Sequence, residues 1–432
     1  MPSQLYRATI FHTPGNPFRE VNALEVFADG GLLVEAGRVA ALGEFSDITR
    51  RFPKAAVRDW RGSFLLPGFI DTHVHFPQVR VLGALGEPLL QWLKNSALPE
   101  EARMANTAYA RMIALEFLTA LVRHGTTGAM VFGAHFASAM ETFFDEAARS
   151  GLRIASGLVL SDQCLLPELH MSPQQGYKLS SALIKRYHGQ GDLLYAVTPR
   201  FALSTSEAML EVCQTLMQEN PSVLFQSHLN ENGDEIREVA RLFPWAGDYL
   251  AVYERFGLVG VRSVLAHNVH PTDSELHRLA RSGSTVVHCP ASNAALGSGL
   301  FGMTRHVTHG VRVALGTDVG AGTGFGMLKE GLQAYLMQRL SPNGFGLTPA
   351  HMLYLATRAG AEALGMHDAG DLSIGRSADF VHIKPRDGTV LAAVTRHAES
   401  ADHALAALFT LASAENIAGT FVRGRAVYEE AA

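Results

Sequence analysis

The segment PGFIDTHVHFPQ, residues 67–78, sets the frame for the rest of the chain. An apolar run over 64–70 reads as a buried strand. Asp71, His73 and His75 come after it at period two, so their side chains leave on one face. Two neutral imidazoles at a strand end can share one metal ion, provided further ligands arrive from elsewhere. In a chain with 19 histidines such a pair is weak on its own. Its weight comes from the residues around it.

From residue 64 onward, strand-like and helix-like runs alternate. The strands are LLPGFIDTHVH, GAMVFG, LRIASGLVLSD, LLYAVTPRF, SVLFQSHLN, SVLAHNV, STVVHCPAS and VRVALGTDVG. Helical spacing predicts helices over 102–123, 137–149, 177–187, 206–218, 234–242, 249–256, 273–280 and 331–340. Eight buried strands, each followed by helix, close most economically as a TIM-type (β/α)8 barrel of the α/β class, with a flatter doubly wound sheet as the alternative. Residues 1–66 read as β, with Gly30, Gly31 and Gly37 at hairpin turns. After 368 the runs GDLSIGRSADFVHIK and IAGTFVRGRAVY return to β, with an apolar helix over 403–413 between them. Neither end can bury its strands alone. Residues 1–66 and 369–432 are therefore expected to form one small β-sandwich beside a barrel spanning 67–368.

Composition narrows the function. The 432 residues are 47% hydrophobic and carry a net charge of −5, with Lys and Arg scattered, so a nucleic-acid surface is not expected and a small substrate is. Cys164, Cys213 and Cys289 are far apart and form no CxxC, which fits a reducing compartment. The N-terminal stretch has no basic segment followed by an apolar core, and no run reaches the ~18 apolar residues of a membrane span. A cytoplasmic, soluble protein is expected.

In a closed barrel the C-terminal strand ends converge on one face. His228 ends the fifth strand, His267 the sixth and Asp318 the eighth, each after an apolar run of strand length. Any one of these histidines is more often a hydrogen-bonded core residue, but five such groups at equivalent barrel positions are not explained that way. Nitrogen ligands with one carboxylate suit zinc, and can also hold iron or manganese. Glu231, three residues after His228, sits where a proton shuttle is needed, although the helix dipole alone also favours a carboxylate there. Asp318 is placed to bind metal and to touch a water whose pKa the metal draws toward ~7.

PGFIDTHVHFPQ, SHLNEN, LAHNVH and LGTDVG, in this order between β-rich ends, resemble the amidohydrolase superfamily over nearly the whole chain. Within it DTHVHFPQ with Gln78, PLLQWL at 88–93, TPRF at 198–201, SHLNEN and GTDVGAG are similar to the guanine deaminase family. The resemblance implies one zinc ion per subunit, the conversion of guanine and water to xanthine and ammonia in purine catabolism, and a homodimer. The implied ligands are His73, His75, His228 and Asp318, with His267 either holding the attacking water or completing the coordination. Asp318 would take a proton from that water and Glu231 would deliver one to the ring nitrogen beside the amine-bearing carbon, with Glu231 and His228 also bordering the substrate. Arg200 then offers a donor fork to the ring oxygen, Phe201 a stacking face, and Gln78 an amide that both donates and accepts.

One check is independent of the family. Binuclear relatives that open cyclic amides need a bridging lysine at the end of the fourth strand, and the end here reads Thr198, Pro199, Arg200, Phe201. None of the six lysines serves. The His-x-Glu with Pro-Cys-x-x-Cys signature of the other zinc deaminase fold is absent too. The rivals are a related deaminase of a triazine, a pterin or an adenosine-type nucleoside, and a non-catalytic barrel paralogue. HCPASNAALGSG, 288–299, is expected as a loop over the site, with Ser292 and Asn293 either substrate contacts or, the preferred reading, turn formers, and HVTHG, 306–310, as surface. The glycine-rich turn 320–326 acquires no role from the sequence.

Overall fold

The computed structural model describes residues 3–430. Eight parallel strands line up in chain order: β1 (Phe69–His75), β2 (Thr126–Phe132), β3 (Arg153–Gly157), β4 (Leu193–Pro199), β5 (Leu224–Leu229), β6 (Ser263–His267), β7 (Thr285–His288) and β8 (Arg312–Leu315). Nearly every residue in them is buried, because helices cover the outside and side chains fill the inside. The two edges of this sheet meet: Thr72 Oγ1 donates to Leu315 O (2.9 Å), and the Asp318 amide donates to His73 O (2.8 Å). The chain has the (β/α)8 architecture.

Short, capped connections fix the path of the chain as it leaves the strands. Asn232 caps helix Gly233–Leu242 after β5, and Thr272 caps helix Asp273–Ser282 after β6. In each the third helical residue is a glutamate, Glu235 or Glu275, that reaches back to the cap backbone. Few loop residues then separate His228 and His267 from a rigid helix start. The helix expected over 102–123 begins later, at Thr107, because Asn106 caps it.

The two chain ends meet beside the barrel. Strands Gln4–His12, Glu25–Glu35, Arg38–Glu44 and Ala56–Pro67 join Phe380–Ile383, Ile417–Val422 and Arg425–Glu429 in one seven-stranded sheet. Phe380–Ile383 pairs antiparallel with Ala56–Pro67, which places the C-terminal strands directly beside the N-terminal ones. Tyr6, Ile10, Leu65, Phe380 and Phe421 share one apolar cluster, with the rings of Phe380 and Phe421 stacked at 4.4 Å. Each such buried ring is worth about 1.5–3 kcal/mol against exposure.

Three local expectations are corrected. Phe45–Arg51, within the stretch expected to be all β, is a helix that buries Ile48 under the sheet against Leu5, Leu33 and Ala41. The segment after His288 is not a loop: Pro290–Ala295 is a helix, started by proline at its first position. His306, expected at the surface, is fully buried, stacked on Phe301 at 4.1 Å and bonded to Asn268.

Candidate active site and metal centre

The strand ends bring the candidate metal-ligating side chains together. The Nε2 atoms of His73 and His75 each lie 3.3 Å from Asp318 Oδ1. His267 Nε2 is 3.8 Å from Asp318 Oδ2 and 3.4 Å from Glu231 Oε2. The His73 ring centre is 5.0 Å from that of His75, 4.8 Å from His228 and 5.2 Å from His267. His73, His75 and His228 form one trio whose ligand atoms lie within 4.8 Å of one another, and His73, His267 and Asp318 form another.

Neighbouring groups aim these ligands. His228 Nδ1 lies 2.6 Å from the Arg200 carbonyl, and His267 Nδ1 lies 3.0 Å from Asn293 Oδ1. Both partners accept only, so each Nδ1 carries the hydrogen and leaves the Nε2 lone pair for the centre. The Nε2 atoms of His73 and His267 are buried with no hydrogen-bond partner. Asp71 accepts from the Thr317 amide at 3.0 Å and from Thr317 Oγ1 at 2.5 Å, which ties β1 to the turn holding Asp318.

Protonation suits a cation. Burial pushes all four imidazoles below their ordinary pKa, His267 to about 4, so they are neutral at pH 7. Burial pushes Asp318 up, but the imidazoles of His73 and His75 outweigh it and hold the carboxyl well below the usual range. Neutral nitrogens, one anionic oxygen and orphaned lone pairs fit a divalent metal. Glu231 behaves oppositely. Burial first, then the charges of Glu235 and Asp318, push its carboxyl well above the usual range, which favours the protonated form.

A narrow cavity opens from this cradle past Gln78, Trp92, Arg200, Phe201 and Leu296. Gln78 follows β1 directly in a turn of 3-10 helix, and Arg200 and Phe201 follow β4. Broken helical turns over 89–105 pass across the barrel mouth and supply Leu89 and Trp92 as lining. Cradle and cavity together contain each residue expected at the site.

The model of the Amidohydrolase family matches residues 64–427. The chain belongs to that family. This amidohydrolase is 56% identical to a probable guanine deaminase of Deinococcus radiodurans, over 98% of each chain. Its fold is similar to that of E. coli guanine deaminase, with TM-score 0.94, 36% identity and 100% of both chains covered. It is also similar to guanine deaminase from C. acetobutylicum with guanine bound, with TM-score 0.91, 25% identity and 99% and 100% covered.

Three features of the amidohydrolase site escaped the sequence. Glu101, from helix Leu98–Ala102, is buried between Gln78, Arg200 and His135. Nothing in a glutamate on a short polar helix signals this, since its partners are 23, 34 and 99 residues away. Asn293, expected as a turn former, orients His267. The glycine-rich turn 320–326 gains a reason: Gly320 has φ +120°, and a Cβ there would collide with Gln78 Oε1.

Proposed function

We propose that this chain hydrolyses guanine to xanthine and ammonia, with one zinc ion held by His73, His75, His228 and Asp318. The observation that carries this reading is a buried Glu231, its Oε2 3.4 Å from His267 Nε2, set between a four-imidazole cradle and a cavity walled by Gln78 and Arg200. When bound, the metal supplies Lewis acidity, which makes water a nucleophile at neutral pH.

The chain's own residues do the rest. Arg200 and Gln78 hold the ring edge, and Phe201 closes one side of the cavity beside His228, ring centres 6.1 Å apart. His267 holds the attacking oxygen through Nε2. Glu231 gives its proton to the ring nitrogen next to the amine-bearing carbon, while Asp318 takes one from the attacking water as the C–O bond forms. Asp318 then returns its proton to the amine, the C–N bond breaks and ammonia leaves. The hydroxyl proton passes to Glu231, so both carboxyl groups are reset and the ring keeps the oxygen.

Likeness to guanine deaminases extends the reading to a homodimer in the cytoplasm, serving purine catabolism. Among the described residues no helix is long and apolar enough to cross a membrane, and Cys164, Cys213 and Cys289 are free thiols, which agrees with a reducing compartment.

Ultraviolet absorbance of zinc-loaded protein mixed with guanine, with adenine, cytosine and a triazine in parallel, tests the function. Conversion of guanine to xanthine, with the others unchanged, is expected. Silence on guanine with turnover of another aminated ring would retain the metal chemistry and overturn the substrate.

A further inference from the structure

Glu101 is a buried acid beside the cavity that the proposed mechanism leaves unused. It is 1% exposed, and its two oxygens accept four hydrogen bonds. Oε1 takes Gln78 Nε2 at 2.6 Å and Arg200 Nη1 at 2.7 Å; Oε2 takes Arg200 Nη1 at 2.9 Å and His135 Nε2 at 3.0 Å. Such a carboxylate stays ionised only because its partners satisfy it, and the charge on Arg200 overcomes the cost of burial.

The chemistry of an anion leaves Gln78 no choice. A carboxylate only accepts, so the Gln78 amide must turn its NH2 toward Glu101 and its oxygen away. Gln78 Oε1 is buried without a partner, and Gln78 and Arg200 both wall the cavity. Arg200 can only donate. Among the residues that line the cavity beside the metal cradle, Gln78 is thus left with an unpartnered acceptor, lying close over Gly320, and Arg200 with a cationic donor group, in a polarity that cannot invert while Glu101 is charged.

We propose that Glu101 is the positioning residue that sets substrate polarity: it locks Gln78 as acceptor and Arg200 as donor, selecting rings with a lactam, a carbonyl beside an N–H, next to the amine-bearing carbon. This rests on the deaminase reading and sharpens its substrate class. A 2-amino-6-oxopurine has that edge, while 2-aminopurine keeps the reacting carbon but offers a bare ring nitrogen where the lactam has N–H. Facing Gln78 Oε1, that nitrogen sets acceptor against acceptor.

The test is Glu101→Gln, assayed for kcat and KM on guanine and 2-aminopurine, with zinc content and melting temperature measured on the same protein. An amide at 101 can donate as well as accept, so Gln78 is free to flip. Guanine kcat/KM should fall roughly 100-fold, chiefly through KM, with zinc retained. The ratio of 2-aminopurine to guanine kcat/KM should rise at least tenfold, on the same order-of-magnitude reasoning. A merely structural role would lower both substrates together, and that result overturns the assignment. Should E101Q fail to fold, the exchange Q78E/E101Q keeps one carboxylate and one amide in the pair and turns an acceptor to the cavity. It should keep the wild-type preference for guanine, and inversion toward 2-aminopurine overturns the proposal. Wild-type protein that leaves guanine untouched overturns the deaminase reading and this one with it; guanine turnover with a parallel loss on both bases overturns Glu101 alone.

Discussion

Replacing Glu231 by glutamine keeps the shape of the side chain and removes its proton. The Oε2 of Glu231 lies 3.4 Å from His267, and it is not among the grouped ligand atoms, so the metal should stay. Glu231→Gln is expected to retain zinc by elemental analysis and to lose kcat by roughly 10³-fold or more, the upper range for a single proton-transfer group. A variant of unchanged rate would remove Glu231 from the mechanism. Ser298 Oγ donates to Glu231 Oε1 at 3.4 Å, which holds the carboxyl toward the cradle.

Among the elements, the turn after β8 matters as much as the strands. Asp318 itself has φ +50°, and the glycines after it let the chain fold back under Gln78. A Cβ at Gly322 would collide with the Thr317 carbonyl, so that position too admits no side chain. Gly320→Ala should push Gln78 off its place against Glu101 and raise KM for guanine roughly tenfold, the cost of one strained polar contact, while zinc content holds. Steady-state kinetics beside metal analysis separates the two effects. Equal KM in mutant and wild type would mean that Gln78 does not touch the base.

For the whole molecule, stability depends on how the end sheet meets the barrel. Arg153 on β3 donates to Asp379 Oδ2 at 2.7 Å and to Asp368 Oδ1 at 3.2 Å, so a buried cation of the barrel is neutralised by acids preceding the C-terminal strands. Within that sheet His382 is stacked on Trp60 at 3.9 Å, with its Nε2 unpartnered. Burial, with smaller contributions from Lys384 and Arg58, lowers its pKa to about 4 from an unfolded value near 6.5. Between those values the unfolded chain binds more protons than the folded one. The stabilising contribution is therefore complete above pH ~6.5 and is lost as pH falls toward ~4, on the order of 3 kcal/mol in all. His382→Phe, which keeps the stack, should flatten the fall in denaturant midpoint over that window. An unchanged slope would place the acid sensitivity elsewhere.

Much of this was present in the one-dimensional order. His73, His75, His228, His267 and Asp318 each close an apolar run of strand length, and barrel closure brings such ends together whatever their separation, so the barrel and the meeting of these five side chains followed from periodicity alone. Helix Phe45–Arg51 did not, because its one buried residue, Ile48, leaves too short a pattern to outweigh the β-rich runs around it. Buried His306 also carried no signal: its hydrogen-bond partner Asn268 lies 38 residues away, after β6. The orientation of the Gln78 amide was the deepest of these hidden features. An amide reads the same in sequence whichever way it turns, and only packing Glu101 against Gln78 and Arg200 decides that its NH2 faces the carboxylate and its oxygen is left without a partner.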